Sequence, residues 1–345
     1  MQNIEQENGE TFTVTSHLEN LEGNHSEIRL KRGQDGKARA LKSFDIDLTF
    51  LDLEEVLYPE VRRLLWPNIG PGKVDKIHLD GFKFGTMFKE MYRMKMLNDR
   101  DPKASQWVDA NTYEAEFLEK DGSHINEPGD PYHEIADAEL HRFDEVATQV
   151  AREVWQKHPE SYDRAKIGPV FQLAEQYRRL GIPMVGMTAN PRGFILEVLK
   201  YTRLSDKFIE CATDYDVPGD KEYKLKWLIE QLERDGIPVP YNRIEVIGDS
   251  VTGDVGSGPR FVELMKQEQP GLLVDVHGLL IVDSEAALAK ARAKLAGKPY
   301  EKALVGTAEA FRWDKVQQSP HGTYDMTTKF RKEFLEPLVS ADETT

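Results

Sequence analysis

Cysteine is almost missing from this sequence: the 345 residues include one, Cys211. That excludes an intrachain disulfide and fits a reducing compartment. Long apolar runs are missing as well. The longest candidate, residues 271–282, is broken by Asp275 and His277, so no membrane span is expected. Positive charge is also short: 45 Lys and Arg stand against 60 Asp and Glu, for a net charge of -15. A duplex nucleic-acid partner is therefore not expected, because phosphates need a basic face to neutralise them. The first residues, acidic and polar, lack the basic and apolar regions of a signal peptide, and a cytoplasmic protein is the expectation.

What is present is the composition of a globular chain, with 39% hydrophobic and 30% charged residues. Residues 1–38 have few large apolar side chains and read as a flexible leader. Residues 39–51 read as a strand feeding a turn, though Lys42 and Ser43 make its first half unusually polar. From 58 to 164 the texture changes. Helical spacing in Val56, Leu57, Val61, Leu64 and Leu65, in the Phe84 to Met94 stretch, and in Leu140, Phe143, Val146, Val150 and Val154 predicts an inserted, mainly helical cap. From Ile167 onward strands and helices alternate. Strands are expected at 182–188, 208–212 and 244–248, with helices at 170–180, 194–201 and 223–232 between them. Residues 272–276 and 279–282 continue the strands, and 261–267 and 286–295 the helices. This pattern predicts a doubly wound, Rossmann-like α/β core over 39–57 and 165–312, with ligands beyond the carboxyl ends of a parallel sheet. Residues 313–345 form a polar tail with one expected helix at 330–335.

Three of those strand ends carry chemistry. The first gives Asp45-Ile46-Asp47-Leu48-Thr49, the second Gly186-Met187-Thr188-Ala189-Asn190, and the third Gly248-Asp249-Ser250-Val251-Thr252-Gly253-Asp254. Lys221 stands before a helix between the second and third. Paired carboxylates can act as nucleophile and proton shuttle on an anionic substrate when a cation holds the charges together. A hydroxyl and backbone amides at a helix start supply neutral donors for phosphate. Magnesium, which takes oxygen ligands, suits the acidic turn.

In this order the residues resemble the four motifs of the haloacid dehalogenase (HAD) superfamily of phosphohydrolases: D-x-D-x-T, a Ser or Thr after an apolar strand, a Lys before a helix, and an acidic G-D turn. The resemblance covers about 39–57 and 165–285. It implies that Asp45 attacks phosphorus to form an aspartyl-phosphate, while Asp47 protonates the leaving group and later activates water. It implies that Thr188, with Ala189 and Asn190, holds the phosphoryl group and that Lys221 steadies its charge. It further implies Mg2+ held through Asp45, Asp47, Asp249 and Asp254, and a small phosphorylated substrate. Lys224, one turn along, competes with Lys221 for the lysine role. Two features depart from the pattern. Leu48 stands where Gly is common, and the insertion of more than 100 residues is long for its slot. A phosphotransferase or mutase of the same family, or a non-catalytic metal- and phosphate-binding protein, remains open at this point, as does the oligomeric state. His78, His124, His133 and His141 lack the spacing of a zinc site. The basic residues from Lys89 to Lys103 read as a solvated helix face, and Met87, Met91 and Met94 as cap core.

Overall fold

A computed structural model describes residues 10–65, 133–217 and 220–282, together with short pieces beyond 282 that include strands at 308–312, 317–318 and 324–325. The expected helix across Phe84 to Met94, the basic run 89–103 and the expected helix at 330–335 lie outside the described residues. The chain divides into two compact units. One comprises residues 1–53, 159–188 and 198–345; the other comprises 54–158 and 189–197.

The first unit is built on a six-stranded parallel sheet. Its strands are β3 (Leu41–Asp45), β4 (Met184–Met187), β5 (Cys211–Ala212), β6 (Ile244–Gly248), β7 (Val276–Val282) and β8 (Ala308–Arg312). They lie in the order β5-β4-β3-β6-β7-β8. The expected alternation of strands and helices is thus what the structure has, with the two separate strand pieces at 272–276 and 279–282 replaced by the single β7. β3, β4 and β6 are buried along their whole length, as strands covered on both faces must be. Lys42 is tolerated there because its ammonium meets Glu245, its cross-strand partner on β6, at 2.8 Å. Helix α5 (Gly168–Arg179) turns Val170, Leu173, Ala174 and Tyr177 inward at helical spacing, and α7 (Lys221–Arg234) does the same with Leu225, Leu228, Ile229 and Leu232. Gly181 closes the first of these at φ 69, a backbone region that favours glycine. α8 (Ser257–Glu268) packs Phe261 and Met265 into the same core as α7.

The flexible leader expected over 1–38 is not what residues 10–38 form. β1 (Thr11–Glu19) and β2 (His25–Lys31) pair as an antiparallel hairpin. Ile28 and Leu30 join the cluster that holds Leu225, Leu228 and Phe261. The Ser16 hydroxyl donates to the Phe208 carbonyl at 2.7 Å, and the His17 ring bridges Glu210 and Asp235. The segment looked weakly ordered because a ribbon with one buried face needs only every second residue to be apolar.

In the second unit, α1 (Leu53–Val56) and α2 (Tyr58–Leu65) are joined by the long α3 (His133–Lys157) and by the first half of α6 (Arg192–Thr202). Asp144 of α3 caps the start of α6, accepting from the amides of Gly193 (3.2 Å) and Phe194 (2.6 Å). The Phe143 and Tyr58 rings pack on Phe194, and Arg152 pairs with Glu197 at 2.7 Å. α4 (Glu160–Ala165) returns the chain to the first unit, where Asp52 donates its amide to Ala165 and Ile167 to Phe50. The chain therefore leaves the first unit after Leu53 and is back in it from Pro159, with Asp52 and Ala165 as hydrogen-bonded neighbours. No helix among the described residues is long and apolar enough to cross a membrane.

Candidate functional site

Because β3 and β6 are parallel neighbours, the turns that follow them open on the same edge. Asp45 is the last residue of β3, and its strand partner on β4 is Met187, one residue before Thr188. On the other side, β6 ends at Gly248 and runs into Asp249 and a π-helical turn, Val251–Val255, that carries Asp254. The Ser250 amide donates to Asp254 Oδ2 at 2.8 Å and the Gly253 amide to Ser250 Oγ at 3.1 Å, which fixes the Asp254 carboxylate. Asp45, Asp249 and Asp254 each bring one carboxylate oxygen within 4.8 Å of the others.

Lys221, first residue of α7, points its ammonium into this group and donates to Asp45 Oδ1 and Asp254 Oδ1. Lys224 does not compete for the place. It is buried and paired with Asp214, in the turn after β5. Thr49 donates its hydroxyl to Asp249 Oδ1 at 3.4 Å, linking the first strand end to the third. Thr188 is buried and its amide donates to the Ala212 carbonyl at 3.0 Å, which continues the ladder one residue past β4.

The electrostatics follow from this crowding. Burial first, and then the negative charge of Asp254, push the Asp45 carboxyl up to about 7 against the pull of Lys221. Burial, Asp254 and Asp45 push Asp249 well above the usual carboxylate range. Burial works against the charge of Lys221, yet Asp254 and Asp45 outweigh it and hold the ammonium above its ordinary value. Asp47 adds negative charge at both Asp45 and Asp249, on top of that from Asp254. An all-oxygen donor set with excess negative charge fits a hard divalent cation such as Mg2+. Among the residues expected as ligands, Asp47 is not a member of the set whose carboxylates converge.

No known protein-family profile and no curated protein sequence matches the chain. Solved structures do. A HAD phosphatase from Thermococcus onnurineus is 19% identical with a TM-score of 0.39, the match covering 75% of this chain and 99% of that one. The haloacid dehalogenase-like protein SP0104 from Streptococcus pneumoniae is 12% identical with a TM-score of 0.34, covering 73% and 90%. The L-2-haloacid dehalogenase from Xanthobacter autotrophicus is 13% identical with a TM-score of 0.36, covering 79% and 89%.

Of the residues expected at the site, Asp45, Lys221, Asp249 and Asp254 come together, and Thr188 lies at the adjacent strand end. Ala189 and Asn190 belong to the second unit, where Asn190 is buried and accepts from the Tyr58 hydroxyl at 3.0 Å. The sequence offered no role for two groups that the structure involves. Thr49 was visible as the last member of D-x-D-x-T, but its reach to Asp249 depends on strand order. Asp214 carries no motif, and its pairing with Lys224 is visible only once the turn after β5 and α7 are placed together.

Proposed function

We propose that the chain is a HAD-type phosphohydrolase: a magnesium-dependent enzyme that cleaves small phosphomonoesters through an aspartyl-phosphate on Asp45. What supports this most is the placement of the Lys221 ammonium between Asp45 and Asp254, inside a group of three converging carboxylates. A nucleophilic carboxylate needs a neighbouring positive charge before it can approach a phosphate dianion, and Lys221 supplies one at the attacking residue.

The residues divide the work as follows. An Asp45 oxygen forms the bond to phosphorus as the bond to the leaving oxygen breaks. Asp47, on the turn just after β3, gives that oxygen its proton. Asp47 then takes a proton from water, whose oxygen attacks the phosphorus of the aspartyl-phosphate, releasing inorganic phosphate and restoring Asp45. Thr188 offers its hydroxyl and Lys221 its ammonium to the equatorial oxygens. Asp45, Asp249 and Asp254 would hold Mg2+, which when bound neutralises charge on the phosphate and on the carboxylates around it.

The test is turnover of a broad phosphomonoester panel with Mg2+ and with EDTA. The wild type is expected to release phosphate only with the metal. Asp45→Asn is expected to lower the rate by at least about 10³-fold while the fold persists by circular dichroism. An inactive wild type, or a variant that retains most metal-dependent activity, would remove the assignment.

A further inference from the structure

Leu48 lies between Asp47 and Thr49, and its backbone adopts φ 54, the left-handed region that a leucine side chain disfavours. The turn holds it there. The Leu48 amide donates to the Leu51 carbonyl at 2.8 Å, and the Phe50 and Leu51 amides donate to Ile46 at 2.9 and 3.2 Å. A parallel bridge joins Asp47 and Leu51. The result is a large apolar side chain that is 37% exposed although its neighbours Ile46, Phe50 and Leu51 are fully buried. Beyond β4, the turn after β5 leaves a second large apolar group, Tyr215, 38% exposed. The sheet order β5-β4-β3 sets these two turns on either side of the β4 end that leads to Thr188. The strands that lead into these turns, β3 and β5, lie two strand spacings apart, roughly 10 Å.

We propose that Leu48, with Tyr215 across β4, is a specificity-determining residue that selects organic phosphates whose leaving group is flat and apolar. The inference rests on the phosphohydrolase reading above. In such a substrate the bond broken is that between phosphorus and the leaving oxygen, whose proton comes from Asp47. The alcohol released would carry its ring against Leu48. An exposed leucine kept in a disfavoured backbone beside the proton donor has an evident use if it touches the departing group.

The experiment compares kcat/KM for benzyl phosphate and ethyl phosphate, whose leaving oxygens are chemically alike and whose apolar area differs. The wild type is expected to prefer benzyl phosphate by about 10-fold or more, the scale of covering one apolar side chain. Leu48→Asn, which accepts the left-handed backbone, is expected to lower that ratio about 5- to 10-fold through KM for benzyl phosphate. Leu48→Met should keep the preference. A wild type active on both esters without preference, an unchanged ratio in Leu48→Asn, or an equal fall in Leu48→Met would overturn the inference and leave the phosphohydrolase reading standing. Failure of the wild type to turn over either ester or any other phosphomonoester would overturn both.

Discussion

Gly248 ends β6 immediately before Asp249, and no side chain fits at this position. A methyl group there would lie 2.2 Å from the Asp254 Cβ, far inside contact distance. Asp254 approaches so closely because the Ser250 amide and the Lys221 ammonium both hold its carboxylate. Gly248→Ala is therefore expected to do two things at once. Overpacking should cost about 1–3 kcal/mol in chemical denaturation, and Asp254 should be displaced, raising the magnesium concentration needed for half-maximal turnover. Full stability together with unchanged magnesium dependence would show that the turn yields freely and that the close approach has no role. Sequence reading could find the G-D pair but not the reason for the glycine, since that reason is a contact with a residue six positions on. The two lysines show the same limit. Spacing along the helix left Lys221 and Lys224 both available, and they separate only when each is seen with its partner, Asp45 and Asp254 for one and Asp214 for the other.

At the scale of elements, β3 is the strand whose placement matters most, because it delivers Asp45. Its polar start looked unsuited to a sheet centre, and the structure answers with a compensated pair. Lys42 and Glu245 are both almost wholly buried and meet at 2.8 Å. Tyr177 donates its hydroxyl to the same Glu245 oxygen at 2.8 Å, and the Lys42 ammonium sits 4.7 Å from the Tyr177 ring centre. The pair exists only in the observed register, in which Lys42 is opposite Glu245. A slip of one residue would strand both charges, so the pair also opposes misalignment of Asp45. Removing one partner leaves a buried charge, and Lys42→Met or Glu245→Leu alone is expected to cost about 3–5 kcal/mol. The double variant Lys42→Met with Glu245→Leu should recover most of that loss, because an apolar pair needs no compensation. Denaturant unfolding of all four proteins gives the coupling directly; strictly additive losses would show that the two charges do not stabilise each other. No hydropathy reading can see such a pair before the strand order is known.

At the scale of the whole molecule, alternating strands and helices made the parallel sheet legible, and the acidic motifs marked the strand ends near which Asp45, Asp249 and Asp254 converge. The N-terminal hairpin was not legible, although its signal was present. Phe12, Val14 and Leu18 alternate with polar residues, as do Ile28 and Leu30, but composition over a window averages such a pattern into a polar segment. The physical consequence concerns where the folding unit begins. Leu30 is fully buried within the cluster formed by α7, α8 and the sheet, and Arg32 covers Phe12 with its guanidinium 4.2 Å from the ring centre. If the hairpin is part of the core, Leu30→Ala should create a cavity there and destabilise the protein by about 2–5 kcal/mol. If residues 10–38 were a loosely attached leader, the same change would act as a surface substitution and stay within about 0.5 kcal/mol. Urea unfolding followed by circular dichroism distinguishes the two. A loss in the larger range, with a single transition, would place the start of the cooperative unit at or before β2 and not at residue 39, and a loss in the smaller range would return the segment to a leader.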